Sequence, residues 1–104
     1  MVTFEERNGK LYIDGKAVIK GFESWTGWYW FATEKADTQD SIIKGKVYEN
    51  DTIYFGFVQG HEEEWGYFSE AELRSLSPKV WEIPAKNLLW SGRRREAQAS
   101  QPSE

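Results

Sequence analysis

The sequence contains no cysteine, a single histidine, three prolines and no long apolar run. Without cysteine, the chain can form neither a disulfide framework nor a thiolate metal site, and this composition is compatible with a reducing cytoplasm. The N-terminus has no basic and then apolar segment of the kind that forms a signal peptide. No apolar run approaches the roughly 20 residues that cross a bilayer. We therefore expect a cytoplasmic protein that has no contact with membranes.

An excess of basic charge is also absent. The 104 residues carry a formal net charge of -4, and the sequence pI is about 5.1. We expect no bulk electrostatic attraction to nucleic acid or to anionic lipid. The length fits one domain with one modest core.

Catalytic and cofactor motifs are lacking as well. The sequence has no nucleophile elbow, phosphate loop, dinucleotide fingerprint or zinc-protease helix. His61 precedes three glutamates, Glu62–Glu64, but a metal site there would need a further ligand such as Asp37 or Asp40. A solvated acidic turn is the simpler interpretation, and the sequence predicts no metal and no cofactor.

Aromatic residues are abundant, at 16% of the chain with six tryptophans. The N-terminal residues predict tight hairpins. Asn8-Gly9 and Asp14-Gly15 suit turns that need positive φ at both central residues. The sequence predicts a three-stranded meander over residues 2–20, with Leu11, Ile13, Ala17 and Ile19 on one face. Residues 21–27 are expected to form a loop.

A second set of strands is predicted around the aromatic clusters. Residues 28–34 form a strand with aromatic residues on both faces, followed by a polar loop over 35–41, a strand over 42–48 bent at Gly45, and a turn over 49–51. Ile53–Gln59 and Glu64–Phe68 pair around a turn at 60–63. Gly56 and Gly66 would leave room for neighbouring rings.

The C-terminal part combines a short helix with an edge strand. Ser69 and Glu72 match a capping box at a helix of about two turns, which ends before Pro78. Val80–Ile83 is an edge strand, and Leu88–Trp90 pack back on the core. We therefore predict one β-rich domain over residues 1–90 and a disordered tail over 91–104. The fold class is mainly β, a small antiparallel curled sheet or partly open barrel with one short α-helix.

The aromatic strands are the best candidates for a functional surface, because tryptophan and tyrosine are enriched at interfaces. The predicted binding residues lie on segments expected to be neighbours: Trp25, Trp28, Trp30, Glu34, Trp65 and Tyr67. The leading hypothesis is a non-enzymatic binding or regulatory protein that acts on a protein partner and is itself a monomer or a weak dimer. One alternative is a nucleic-acid-associated module that uses aromatic stacking and Arg93–Arg95. The other is a hydrolase that uses two close carboxylates from Glu34, Glu64 and Glu70.

Two sequence blocks resemble a known family. The first is Trp28-Tyr29 with Thr33-Glu34. The second combines Phe55-Gly56-Phe57-Val58-Gln59-Gly60-His61-Glu62 with Glu64-Trp65-Gly66-Tyr67-Phe68-Ser69-Glu70-Ala71-Glu72-Leu73. They resemble short proteins encoded largely by phages, plasmids and other mobile elements, a family known only as a domain of unknown function. The segment between the blocks is longer here, and the family usually has a small aliphatic residue where Trp65 stands. The resemblance implies an origin in a mobile element and no particular activity.

Overall fold

The computed structural model describes residues 2–100 and the side chains of residues 2–94. The fold is mainly β, as predicted, with two antiparallel sheets that do not close into a barrel and two short helices. The first sheet has the order β1-β2-β3 and the second β7-β6-β5-β4-β8. The strands are β1 (Phe4–Arg7), β2 (Lys10–Ile13), β3 (Lys16–Ala17), β4 (Lys20–Ser24), β5 (Tyr29–Ile43), β6 (Lys46–Gln59), β7 (Glu63–Ser69) and β8 (Val80–Ile83). The helices are α1 (Glu70–Arg74) and α2 (Leu88–Ser100), with a 3-10 turn over Ala85–Asn87 before α2.

The N-terminal meander has the two predicted turns. Asn8 and Gly9 take φ of 52° and 76°, as a two-residue hairpin turn requires. The predicted apolar face is partly wrong, because the second turn places Ala17 opposite Tyr12 and not on the Leu11 and Ile13 face. Ile19 is 52% exposed.

The β5–β6 hairpin is longer than predicted. The expected loop over 35–41 and turn over 49–51 both belong to its strands, and the chain reverses at Lys44-Gly45, where both residues have positive φ. Three register shifts in the ladder accommodate the unequal spacing of the two strands. The hairpin therefore continues past the cores as a two-stranded arm, residues 34–52.

β4 occupies most of the predicted loop over 21–27. A Cβ atom on Gly21 would lie 2.6 Å from the Leu88 side chain, so this glycine lets α2 approach the sheet. Phe22, on the other side of the strand, is 1% exposed. The loop prediction was wrong because a glycine that serves packing has the same sequence signature as one that serves a turn.

The large sheet is covered on both sides, which gives two cores. The first core lies between this sheet and the meander, and its buried residues are Phe4, Leu11, Ile13, Tyr29, Phe31, Phe57 and Ile83. The second lies under α1, and its buried residues are Phe22, Ala32, Tyr54, Leu73 and Val80. Strand β5 contributes to both cores, which explains its aromatic residues on both faces.

The region after Trp90 differs from the predicted tail. α2 extends to Ser100, Ser91 is 3% exposed, and Gly92 lies against Leu11. The prediction of disorder was wrong for these residues, because small residues at two positions allow the helix to pack closely on β2. Residues 101–104 of the predicted tail lie outside the described part of the chain.

Candidate binding surfaces

The six predicted binding residues divide between the two faces of the large sheet. Trp30 lies opposite Phe22 and Val58, on the face of the second core. Trp65 lies opposite Phe57, on the face of the first core. The sequence-based prediction therefore combined two separate aromatic surfaces into a single one.

The first surface is a groove at the end of the sheet near α1. It has a volume of about 220 Å³. Three tryptophans, two aliphatic residues and three polar residues line it: Ser24, Trp25, Thr26, Trp28, Trp30, Leu76, Lys79 and Val80. We call it the tryptophan groove. Trp25 is its most prominent element, because its side chain is 69% exposed.

The backbone around Trp25 is held by hydrogen bonds on both sides. The Trp25 amide donates to the Lys79 carbonyl at 3.0 Å, and the Ser24 amide donates to the Trp28 carbonyl at 2.9 Å. The Ser24 hydroxyl accepts from the Trp28 amide at 3.1 Å. Gly27 takes a φ of +90°, which closes the turn. The ring of Trp25 is therefore presented by an ordered turn.

His61 has a packing contact at the far side of Trp28. The two rings meet edge to face with centroids 5.3 Å apart. A Cβ atom on Gly60 would lie 2.4 Å from the Trp28 ring, so this glycine admits the indole. No group of three or more metal-ligating side chains occurs among the residues that the structure describes. Packing against Trp28 thus accounts for the position of His61 in the turn.

The second surface follows β7, one of the two outer strands of the large sheet. The Phe55 ring stacks on Trp65 at 6.1 Å and meets Tyr67 edge to face at 5.0 Å. Lys16 places its ammonium 4.6 Å from the centroid of the Trp65 ring, a cation–π contact. Tyr67 is 71% exposed. Glu34, the last of the predicted binding residues, is exposed and lies opposite Phe55 at the start of the arm.

A network of charged side chains supports the second core. The Glu70 carboxylate accepts from the Tyr54 hydroxyl at 2.6 Å, from Arg74 Nε at 2.8 Å and from Lys20 Nζ at 3.4 Å. Partial burial would raise the pKa of Glu70, but these hydrogen bonds and the positive charges of Lys20 and Arg74 outweigh it and lower the pKa to about 2. Burial and the adjacent carboxylate raise the pKa of Tyr54. Arg74 extends the network to Glu82 at 2.6 Å.

Asp51 joins the arm to α1. It is 5% exposed. Its carboxylate accepts from the Ala71 amide and the Ser41 hydroxyl, at 2.8 Å and 2.7 Å, and from the Ser69 hydroxyl. Ser69 in turn accepts from the Glu72 amide at 3.1 Å, which confirms Ser69 as the N-cap of the predicted capping box. No local pattern pointed to Asp51, because its partners lie 10 to 20 positions away.

A crevice of about 430 Å³ separates the arm from α1. Its charged residues include Asp51, Glu70 and Arg74, and each is hydrogen-bonded to a neighbour. These three side chains therefore have a structural role.

Two arginines of the predicted tail hold α2 against the body. Arg94 donates to the Glu23 carboxylate at 2.7 Å and also contacts the Tyr29 hydroxyl. Arg93 forms an ion pair with Glu6. Sequence reasoning missed this role because it assigned both arginines to a free segment.

The carboxylates proposed for a hydrolase are not brought together. Glu34 lies opposite Phe55 and Glu64 opposite Val58, on different faces of β6. Glu70 belongs to the network under α1, and its pKa is lowered, whereas a general acid requires a raised pKa.

Neither helix within the described part of the chain has the length and apolar character needed to span a bilayer.

Comparisons with known proteins identified no relative of this chain. No family model, curated protein or solved structure gave a significant match to this chain.

Proposed function

We propose that this protein is a small non-enzymatic binding or regulatory protein, and that it recognises a protein partner through the tryptophan groove. The observation that carries the proposal is Trp25, a large aromatic side chain that is 69% exposed although its backbone is fixed. Interfaces draw most of their binding energy from a few such residues, with tryptophan prominent among them. Because the backbone of this turn is already ordered, little backbone entropy is lost on binding.

The size of the groove favours a partner side chain as its occupant. At about 220 Å³, it is smaller than the roughly 300 Å³ at which small-molecule sites begin. Leu76 and Val80 form an aliphatic wall beside the indoles, which suits an aliphatic or aromatic anchor. Lys79 at the rim suits a carboxylate or a carbonyl next to that anchor.

The nucleic-acid alternative has less support. It relies on an arginine-rich tail, but Arg93 and Arg94 are already paired with Glu6 and Glu23. A cytoplasmic location and an origin in a mobile element remain parts of the proposal that follow from the sequence alone.

A displayed library of random peptides provides a test that needs no knowledge of the natural partner. Peptides selected on the wild-type protein should share an apolar anchor residue. Their affinity should fall about 30-fold for Trp25→Ala, since losing a hot-spot side chain costs about 2 kcal/mol.

Trp81→Ala is the matched control, because Trp81 is also exposed, at 41%, but lies on β8 outside the groove lining. This variant should bind the selected peptides like wild type. Selected peptides that bind Trp25→Ala with unchanged affinity would show that the groove is not the recognition site.

A further inference from the structure

Strand β7 is an edge of the large sheet with few features that block pairing. Natural edge strands are usually protected by charged side chains, especially lysine, by proline or by a bulge. The β7 sequence, Glu63–Ser69, has charged side chains only at its first two positions, contains neither lysine nor proline, and keeps its register with β6 without a shift. Tyr67 nevertheless exposes 71% of its surface at this edge.

Gly66, at the centre of β7, has no explanation within its own chain. A Cβ atom there would meet no atom within 4 Å, whereas one on its cross-strand partner Gly56 would lie 2.0 Å from the Phe31 carbonyl oxygen. Gly66 is also absent from the residues with positive φ. The expectation that it makes room for a neighbouring ring was therefore wrong. A glycine inside a strand weakens it and often marks a bulge, a tight bend, or a place where a ligand or another backbone approaches. The unshifted register with β6 excludes a bulge at this position.

The sequence around Gly66 is suited to pairing with itself. If two β7 strands pair antiparallel about a two-fold axis at Gly66, each Trp65 lies opposite Tyr67 of the second copy. Glu64 then lies opposite Phe68, and Glu63 opposite Ser69. Aromatic cross-strand pairs stabilise a sheet, while like charges directly opposite each other destabilise it. This register forms two aromatic pairs and brings no two glutamates into opposition.

We propose that a second copy of this chain pairs with β7 across a two-fold axis at Gly66, so that two five-stranded sheets form one continuous sheet. The interface is isologous, as two-fold dimers require. A seven-residue strand pair is smaller than a standard interface of about 1,600 Å². The association is accordingly weak and depends on concentration.

Because the sequence contains no cysteine, an introduced cysteine can form a disulfide only with a cysteine of a second chain. Gly66→Cys should form a disulfide-linked dimer in a mild redox buffer, because directly opposite Cα atoms lie about 4.5 to 5.5 Å apart, within reach of a disulfide. The variant should fold, since the space around Gly66 is open. Glu64→Cys is the control on the same face of the same strand. Its two copies would lie roughly 14 Å apart along the paired strands, four residues at about 3.4 Å each.

Gly66→Cys should cross-link at least tenfold faster than Glu64→Cys. A mixture of Glu64→Cys and Phe68→Cys should form the mixed disulfide in preference to either homodimer. Equal rates for Gly66→Cys and Glu64→Cys would overturn the proposed register.

Sedimentation velocity over a concentration series tests the unmodified edge. The wild-type protein should form dimers as its concentration rises. Tyr67→Lys should weaken the dimer and raise its dissociation constant at least tenfold. Ile42→Lys, which places the same charge at a comparably exposed position near the tip of the arm, should leave the dimer unchanged. A wild-type protein that stays monomeric at millimolar concentration, or a dimer that Tyr67→Lys does not weaken, would overturn the proposal.

Discussion

The β5–β6 hairpin is buried at its base and exposed along its arm, although one antiparallel ladder runs through both regions. At the base, Phe31 and Phe57 are at most 1% exposed. Near the tip, Ile42 and Val47 are 75% and 57% exposed. At the base, a hydrophobic core therefore stabilises the paired strands. Along the arm, the strands depend on their own hydrogen bonds and on the Lys44-Gly45 turn.

Local stability should follow this division. Segments with few buried apolar contacts open at a low free-energy cost, while core strands open only with the whole domain. Asp51 is the one buried residue in the arm, all of which the structure describes. Its carboxylate and the Glu70 network lie where the arm joins the body. Substitutions at Asp51 and Glu70 can therefore change the stability of one region relative to the other.

Acid should destabilise the body through Glu70. The pKa of Glu70 is lowered from 4.5 to about 2 in the folded state, so the unfolded chain binds more protons at low pH. The stabilisation is fully present above pH 4.5 and is lost as the pH falls through about 2. We expect Glu70→Gln to remove on the order of 2 to 3 kcal/mol of this pH-dependent stability, measured by denaturant unfolding between pH 7 and pH 2.

Glu72→Gln is the control for that experiment, because it removes an exposed carboxylate from the same helix. It should leave the slope of stability against pH close to wild type. A Glu70→Gln profile that matches the wild-type profile would mean that the network does not stabilise the body.

Loss of Asp51 should separate the arm from α1. Asp51→Ala removes three hydrogen bonds, one of them to an amide in the first turn of α1. A lost cap costs about 0.5 to 2 kcal/mol, and buried partners left unpaired cost about 1 to 3 kcal/mol. We expect a loss of about 2 kcal/mol and faster amide hydrogen exchange in both α1 and the arm.

Asp40→Ala provides the comparison within the arm. Asp40 accepts from the Asn50 amide at 3.0 Å but is exposed. Its removal should change the free energy of unfolding by at most about 0.5 kcal/mol. Equal effects of the two substitutions would show that Asp51 does not specifically join the regions.

The division between base and arm also marks what the sequence could predict. Short-range signals were reliable: Asn8-Gly9, Ser69 with Glu72, and the strand Val80–Ile83 all lie where predicted. The polar run over 35–41 was assigned to a loop because strand prediction relies on apolar alternation. Its strand structure depends on pairing with residues 48–54, which a local pattern does not reveal.

The candidate surfaces show the same limit. Sequence reasoning selected Trp25, Trp28 and Trp30, and the structure brings them into one groove. It also placed Trp65 and Tyr67 with them, because period two gives the faces of one strand but not how faces correspond across a sheet. Asp51 and Arg94 were missed since their partners are distant in sequence.

The smallest effect is expected at the tip of the arm. Ile42 and Val47 lie opposite each other and are both exposed. Replacing both with threonine keeps a β-branched side chain and its strand preference. The free energy of unfolding should change by no more than about 0.5 kcal/mol.

Ile83→Thr makes the same chemical change at a position that is 3% exposed, where it should cost about 2 kcal/mol or more. A loss at the tip as large as that at Ile83 would show that the arm packs on an apolar surface, and the contrast between base and arm would no longer hold.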